Sequence, residues 1–304
     1  MRDRSPTIEV NGLPHSGRVI RNKYVLEDQI GSGGMSVVWR VRHLSLGSTM
    51  AMKIMSTSGA RAEVRREALL REARAAAKVQ HRNVVRIYDV DTTEDGEPYI
   101  LMEHLEGESL GGRLARTPSP SVEELLNVIV QALGGLAAIH DAGLVHRDIK
   151  PENIFLETDA EGTLPKLLDF GLSREISLSE STVREGIIVG TPHYMSPEQA
   201  AGARALDLRS DLFGMGVVLY QGLSGQLPFR SDSFIHLLAD IRDVNPAPLA
   251  TLRPDLGLVI SDVVEKAMYK DPGQRYQDAR EMRKALEHAA ATTVVLNNWV
   301  WTPY

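Results

Sequence analysis

The sequence predicts an α+β protein in two lobes, a small one of β-strands with a single helix and a larger, mainly helical one. Three observations carry that prediction. Short β-prone runs separated by turn residues fill residues 24–103, interrupted by one stretch rich in Ala, Leu, Arg and Glu at 62–79. Beyond residue 107 helical patterning takes over, with successive start and stop signals. The 304 residues hold 43% hydrophobic and 24% charged side chains, an ordinary globular mixture long enough to bury a sizeable core.

Residues 1–23 carry Pro6, Gly12, Pro14 and Gly17 with little periodicity, and read as a leader that need not be ordered. Strands are expected at 37–41, 50–54, 84–90 and 99–103, the last two joined by a turn-rich stretch. The 62–79 helix lies between the two strand pairs, with Glu67 and Arg71 at i,i+4 supporting one solvated face. The lobes, about 24–104 and 105–288, meet at a joint near 103–108. Ser121-Val-Glu-Glu124 is a capping-box signature, and the apolar pattern behind it runs to His140 before Asp141-Ala-Gly143 stops it. Further helices are expected at about 196–201, 210–223, 232–243, 258–270 and 276–289. A tail follows over 289–304. From Thr292 it is β-prone and nearly uncharged, and Trp299 and Trp301 would share one face of a strand. It is expected to dock in extended form, on its own body or on a second chain, with a frayed end as the alternative.

Composition excludes several classes. With 34 basic against 40 acidic residues the net charge is −6, which argues against a nucleic-acid partner. No cysteine is present, so there is no disulfide framework and no thiolate chemistry. The apolar stretches 128–139 and 214–223 are interrupted by Gln131 and Gln221, and no transmembrane segment is expected. The polar start, Met1-Arg-Asp-Arg-Ser-Pro, lacks the apolar centre of a signal peptide, so the expected location is cytoplasmic.

Two motifs carry chemistry. Ile30-Gly31-Ser32-Gly33-Gly34-Met35-Ser36-Val37-Val38 joins two expected strands, and its glycines let backbone N–H groups approach phosphate oxygens. By itself it could merely close a hairpin. A dinucleotide fold would need a helix next, and a P-loop a terminal Gly-Lys-Ser/Thr. A loop folded over a nucleotide remains, with Lys53 in the following apolar strand suited to its phosphates rather than to solvent. More specific is His146-Arg147-Asp148-Ile149-Lys150-Pro151-Glu152-Asn153, with Leu168-Asp169-Phe170-Gly171 beyond it. Phosphoryl transfer needs hard oxygens for a metal ion, an acceptor for the attacking hydroxyl's proton and charge for the moving phosphate. Asn153 and Asp169 supply the oxygens, Asp148 the acceptor and Lys150 the charge.

These motifs, with Ala51-Met52-Lys53 and Met195-Ser196-Pro197-Glu198 in the same order, resemble the eukaryotic-type serine/threonine protein kinases, and the Gly-Gly-Met loop is similar to bacterial members. The resemblance covers about residues 24–288 and implies the bilobal kinase fold, with ATP and Mg²⁺ (Mn²⁺ as the alternative) as cofactors and proteins as substrates. It implies that Lys53 contacts the α- and β-phosphates and pairs with a glutamate of the 62–79 helix. Glu67 and Glu72 compete for that role, and spacing to His81 favours Glu72. Glu103 and Leu105 would offer backbone groups to adenine behind Met102. Ile30, Val38, Ala51 and Phe155 would sandwich the base. Glu198 would pair with Arg275, and Asp211 would hold the catalytic loop. Arg147 matches kinases switched on by a phosphate in the activation segment, for which Ser181 and Thr182 are the candidates, and Thr191 would shape the substrate floor. Two positions depart from the family pattern: Ser36 stands at the third loop glycine, and Arg82 at the usual proline after His81.

Two other classes fit the sequence less well. A pseudokinase is disfavoured because Lys53, Glu72, Asp148, Asn153 and Asp169 are all present. A small-molecule phosphotransferase is disfavoured by Pro197-Glu198, Arg275 and the late helices, which resemble a protein-substrate platform.

Overall fold

The computed structural model describes residues 15–33, 36–56, 62–117, 119–159, 162–170, 192–203 and 205–297. They divide into two compact units. One holds the residues up to Arg71 with Ile87–His104, the other Glu72–Arg86 and the residues from Leu105 onward.

The first unit is a six-stranded antiparallel sheet in the order β1-β2-β3-β4-β6-β5. Its strands are β1 (Val19–Ile20), β2 (Tyr24–Gly33), β3 (Ser36–His43), β4 (Thr49–Met55), β5 (Ile87–Thr92) and β6 (Pro98–Glu103). Alternation sends Trp39, Val41, Met50, Met52, Ile54, Tyr99 and Leu101 to one face, where they form a core with Ile20, Tyr24 and Leu26. Val38, Ala51 and Lys53 therefore lie on the opposite face. The register sets Lys53 beside Val38 on one side and Ile100 on the other.

β1 differs from the expected leader. Ile20 is completely buried, Val19 and Ile20 pair with Val25 and Tyr24, and Arg18 forms an ion pair with Asp95 at 2.5 Å. A two-residue strand is too short to show periodicity, so only its pairing reveals it. The expected 84–90 strand also splits. Residues 87–92 join the sheet as β5, whereas Val84 and Val85 belong to the second unit. There Val84 makes a parallel bridge to Leu167, and the Val85 N–H donates to the Leu167 carbonyl at 3.0 Å.

The helix α1 (Ala62–Ala76) ends three residues before the expected 79, where tighter turns replace its last α-type bonds: Lys78 N–H reaches Ala75 O at 3.2 Å and Val79 N–H reaches Ala76 O at 3.0 Å.

The second unit contains α2 (Leu110–Ala115), α3 (Val122–Asp141), α4 (Pro197–Ala200), α5 (Arg209–Ser224), α6 (Phe234–Asp243), α7 (Leu249–Leu252), α8 (Gly257–Ala267) and α9 (Ala279–Asn297). It also holds a three-stranded antiparallel sheet that the helical texture concealed: β7 (Gly107–Ser109), β8 (Ile154–Asp159) and β9 (Gly162–Leu167), in that order. By length and composition α3 could cross a membrane, but eleven of its residues are buried and it packs against α5 and α9 as the core helix. Its start is capped by Ser121 Oγ, which accepts the Glu124 N–H at 3.1 Å. The Glu124 carboxylate is engaged by Arg113 Nε and Nη2, both at 3.1 Å.

α9 corrects the extended form expected from Thr292, because the helix continues to Asn297. Met282, Leu286, Ala289 and Ala290 bury one face of it, and extending an anchored helix outweighs the β-propensity of the next residues. Trp299 and Trp301 lie outside the described residues.

Candidate active site

In the second unit, Gly143 with φ +75° ends α3, and the chain then runs without regular structure to a 3-10 turn at Pro151–Asn153. This stretch is held from below by Asp211, a buried carboxylate in the first turn of α5. Its Oδ2 accepts the His146 N–H at 2.8 Å and lies 2.8 Å from His140 Nε2, and its Oδ1 accepts the Arg147 N–H at 2.7 Å. Asp211 thus occupies the position the resemblance implied. His140 was missed: in the sequence it reads only as the last turn of a helix.

Asp148 is half-buried. Its Oδ2 accepts from Lys150 Nζ at 2.7 Å and from Asn153 Nδ2 at 2.9 Å. Asn153 Nδ2 also donates to the Asp148 carbonyl at 2.8 Å. Two acceptors on one side fix the amide's orientation, so its carbonyl oxygen points away as a hard donor. The Leu168 N–H donates to the Asn153 carbonyl at 2.9 Å, bringing the strand end that carries Asp169 to the same turn. Phe170 next to it is buried, its ring 6.4 Å from that of His146. The oxygens of Asn153 and Asp169 suit a cation that keeps water and phosphate oxygens among its ligands.

Arg147 and Asp169 both take left-handed backbone, φ +68° and +58°. Such residues cost roughly 1–3 kcal/mol and persist only where the surroundings over-determine them. Burial holds His146 below the ordinary histidine pKa, against the opposing pull of Asp211, Asp148 and Asp169. Its Nδ1 accepts the Asp148 N–H at 3.4 Å, which requires that nitrogen to be unprotonated.

Arg275, fully buried, donates Nη1 and Nη2 to the two Glu198 oxygens at 2.8 Å each. It also donates to the carbonyls of Tyr269, Arg209 and Lys270. Burial raises the Glu198 pKa, but the hydrogen bonds from Arg275 and Ser210 outweigh it and keep the carboxylate below its usual range. The pairing expected between these two residues is therefore present, and its charges are well satisfied.

In the first unit, Val38, Ala51 and Lys53 share a face, and Met102 is the cross-strand partner of Ala51. Gly31, Ser32 and Gly33 pair with Val38, Val37 and Ser36 as a hairpin, with Ile30 about half exposed. Gly34 and Met35 lie outside the described residues. Glu103 closes β6 and Leu105 begins the longer stretch of the second unit, both half-buried, as is Phe155 on β8. On α1, Glu72 is half-buried whereas Glu67 is exposed. Ser181, Thr182 and Thr191 lie outside the described residues.

The protein kinase domain matches residues 24–289. The chain belongs to the protein kinase domain family. Among curated members it is 36% identical over 280 residues to serine/threonine-protein kinase pkn3 of Myxococcus xanthus, covering 89% of this chain and 50% of that protein. It is 37% identical over 289 residues to pkn2 of the same organism, covering 94% of this chain and 34% of that protein. To serine/threonine-protein kinase PknL of Mycobacterium tuberculosis it is 36% identical over 279 residues, covering 91% of this chain and 68% of that protein. The chain thus spans a third to a half of the first two relatives. The crystal structure of the M. tuberculosis PknI kinase domain superposes with a TM-score of 0.73 at 25% identity, covering 92% of this chain and all of that one. The α+β architecture expected from the sequence is the fold of this family.

Proposed function

We propose that the chain is a serine/threonine protein kinase that moves the γ-phosphoryl group of ATP to Ser or Thr hydroxyls of protein substrates. The carrying observation is the Asp148 carboxylate, fixed through one oxygen by Lys150 Nζ and Asn153 Nδ2. Those bonds leave Oδ1 to accept the hydroxyl proton as the nucleophile attacks. Lys150 carries positive charge at that position, toward the phosphate in transfer. Lys53 serves the α- and β-phosphates, supported by Glu72. The glycine hairpin offers its N–H groups to phosphate oxygens. Ile30, Val38, Ala51 and Phe155 supply apolar surface for adenine, and Glu103 and Leu105 its backbone partners.

The family uses ATP with a divalent metal ion; Asn153 and Asp169 would hold it here, and Mg²⁺ suits their hard oxygens, with Mn²⁺ the alternative. When bound, the ion neutralises charge on the phosphoryl group. Arg147 stands for control by a phosphate in the segment from Asp169 to Glu198, at Ser181 or Thr182, with Thr191 shaping the substrate floor. Because ATP is the co-substrate, we place this activity in the cytoplasm.

The test is transfer from labelled ATP by the purified chain to a generic protein acceptor. Label in protein is expected. Asp148→Asn keeps the shape without the acceptor and should cut turnover roughly 10²–10⁴-fold with ATP affinity retained. Transfer at the parental rate by that variant would overturn the assignment, and label found only in small acceptors would overturn the substrate class.

A further inference from the structure

We infer that Gln199 is a positioning residue for Asp148, locking the Arg147–Asp148 peptide group through its side-chain N–H. Gln199 lies on α4, half-buried, 52 residues from the carbonyl it holds. Its Oε1 accepts the Ser196 N–H at 2.9 Å, and Ser196 Oγ accepts the Gln199 N–H at 3.3 Å, a complete capping box. Because the Ser196 N–H can only donate, that contact fixes which amide atom is oxygen. The group facing the Arg147 carbonyl at 2.8 Å is therefore the Nε2 donor. Capping needs only the oxygen, and glutamate would serve it equally well. The second bond is extra to the cap.

What it holds is an unusual piece of backbone. Arg147 sits at φ +68°, where a non-glycine residue stays only under constraint from both sides. Asp211 Oδ1 takes its N–H at 2.7 Å and Gln199 takes its carbonyl at 2.8 Å, so the residue is clamped at both ends. On the far side of the same peptide, the Asp148 N–H donates to His146 Nδ1 over a long 3.4 Å. Of these two bonds, the one from Gln199 is the shorter. Releasing it frees rotation of the unit from which the Asp148 side chain departs, and a displacement of about 1 Å at a catalytic group costs up to ~10²-fold in rate. This depends on Asp148 being the proton acceptor, as proposed above.

The variants Gln199→Glu and Gln199→Ala separate clamp from cap. Q199E keeps the acceptor for Ser196 and removes the donor to Arg147; Q199A removes both. For Q199E we expect a Tm only slightly lower, kcat lower by roughly 10- to 100-fold, and KM for ATP within about twofold. Backbone amides of residues 145–149 should exchange faster with deuterium while those of α5 keep parental protection. Q199A should lose kcat by a similar factor and also lower Tm. A Q199E protein with parental kcat, or one whose KM rises at constant kcat, overturns the inference. So does faster exchange spread evenly through α5, which would mark a merely structural role. If the parental chain transfers no phosphate, the kinase reading itself fails, and the exchange pattern at 145–149 still decides whether the clamp exists.

Discussion

His146 shows at the level of one residue how burial sets a protonation state. Its imidazole is fully buried and its pKa is depressed, so the folded protein refuses a proton that the unfolded chain accepts near pH 6.5. A group depressed in the folded state contributes stability that is fully present above the unfolded pKa and declines as pH falls toward the folded one. Tm should therefore fall as pH is lowered from about 6.5 to 5. His146→Asn, which cannot titrate, should show a shallower slope over that window, and an identical slope would remove His146 as the cause. Single residues were legible in unequal degree. The contiguous His146-Arg147-Asp148 and Asp169-Phe170-Gly171 runs announce themselves, because phosphoryl transfer demands those groups close together. His140 and Gln199 do not, because their partners lie 71 and 52 residues away and neither residue type is unusual where it stands.

Between elements, contacts turn on a few close approaches. A Cβ at Gly135 on α3 would lie 2.5 Å from the Asn83 carbonyl oxygen, a backbone atom fixed in turn by the bond from Asn83 Nδ2 to Pro165 O at 2.8 Å. A Cβ at Gly222 on α5 would meet the Leu125 Cδ2 methyl at the same 2.5 Å, but that is the mobile end of a side chain. Gly135→Ala should cost about 1–3 kcal/mol through forced backbone movement, and Gly222→Ala clearly less because Leu125 can turn aside. Denaturant midpoints of the two variants check this; equal losses would show that side-chain relief is not available. Asn83 also stands directly before the expected 84–90 strand, which the structure splits. Val84 and Val85 are as β-prone as 87–92, but a run of this kind carries no mark of which sheet edge or strand end will take it. The short β7 and the β8–β9 hairpin were concealed for the same reason, since each is defined by non-local pairing.

For the molecule as a whole, the folded body begins earlier than its motif-bearing part. Ile20 is completely buried, and its burial alone is worth about 1.5–3 kcal/mol. Removing residues 1–22 takes away β1 and the Arg18–Asp95 pair with it. We expect that truncation to lower Tm by several degrees, read by calorimetry, and an unchanged Tm would mean β1 adds nothing to the sheet. At the other end α9 carries helix to Asn297, past the limit the β-prone composition suggested. The Glu198–Arg275 pair belongs to this scale too, joining α4 to the turn before α9. A pair so completely hydrogen-bonded serves to enforce one geometry, since exchanging two charges from water for each other gives little net stability.

By itself the sequence determined the fold family, the succession of a strand-rich and a helical part, and the residue types of the chemistry. Alternation, helical periodicity and a reaction that needs an acid acceptor, a cation and metal-binding oxygens all leave local marks in a chain. Tertiary structure alone decided that His140 braces the Asp211 carboxylate and that Gln199 holds the Arg147 carbonyl, that Val84 and Val85 leave the first sheet, and that Ile20 begins it. Each of these is a hydrogen bond or a burial between residues distant in sequence, and neither periodicity nor propensity carries information about such partners.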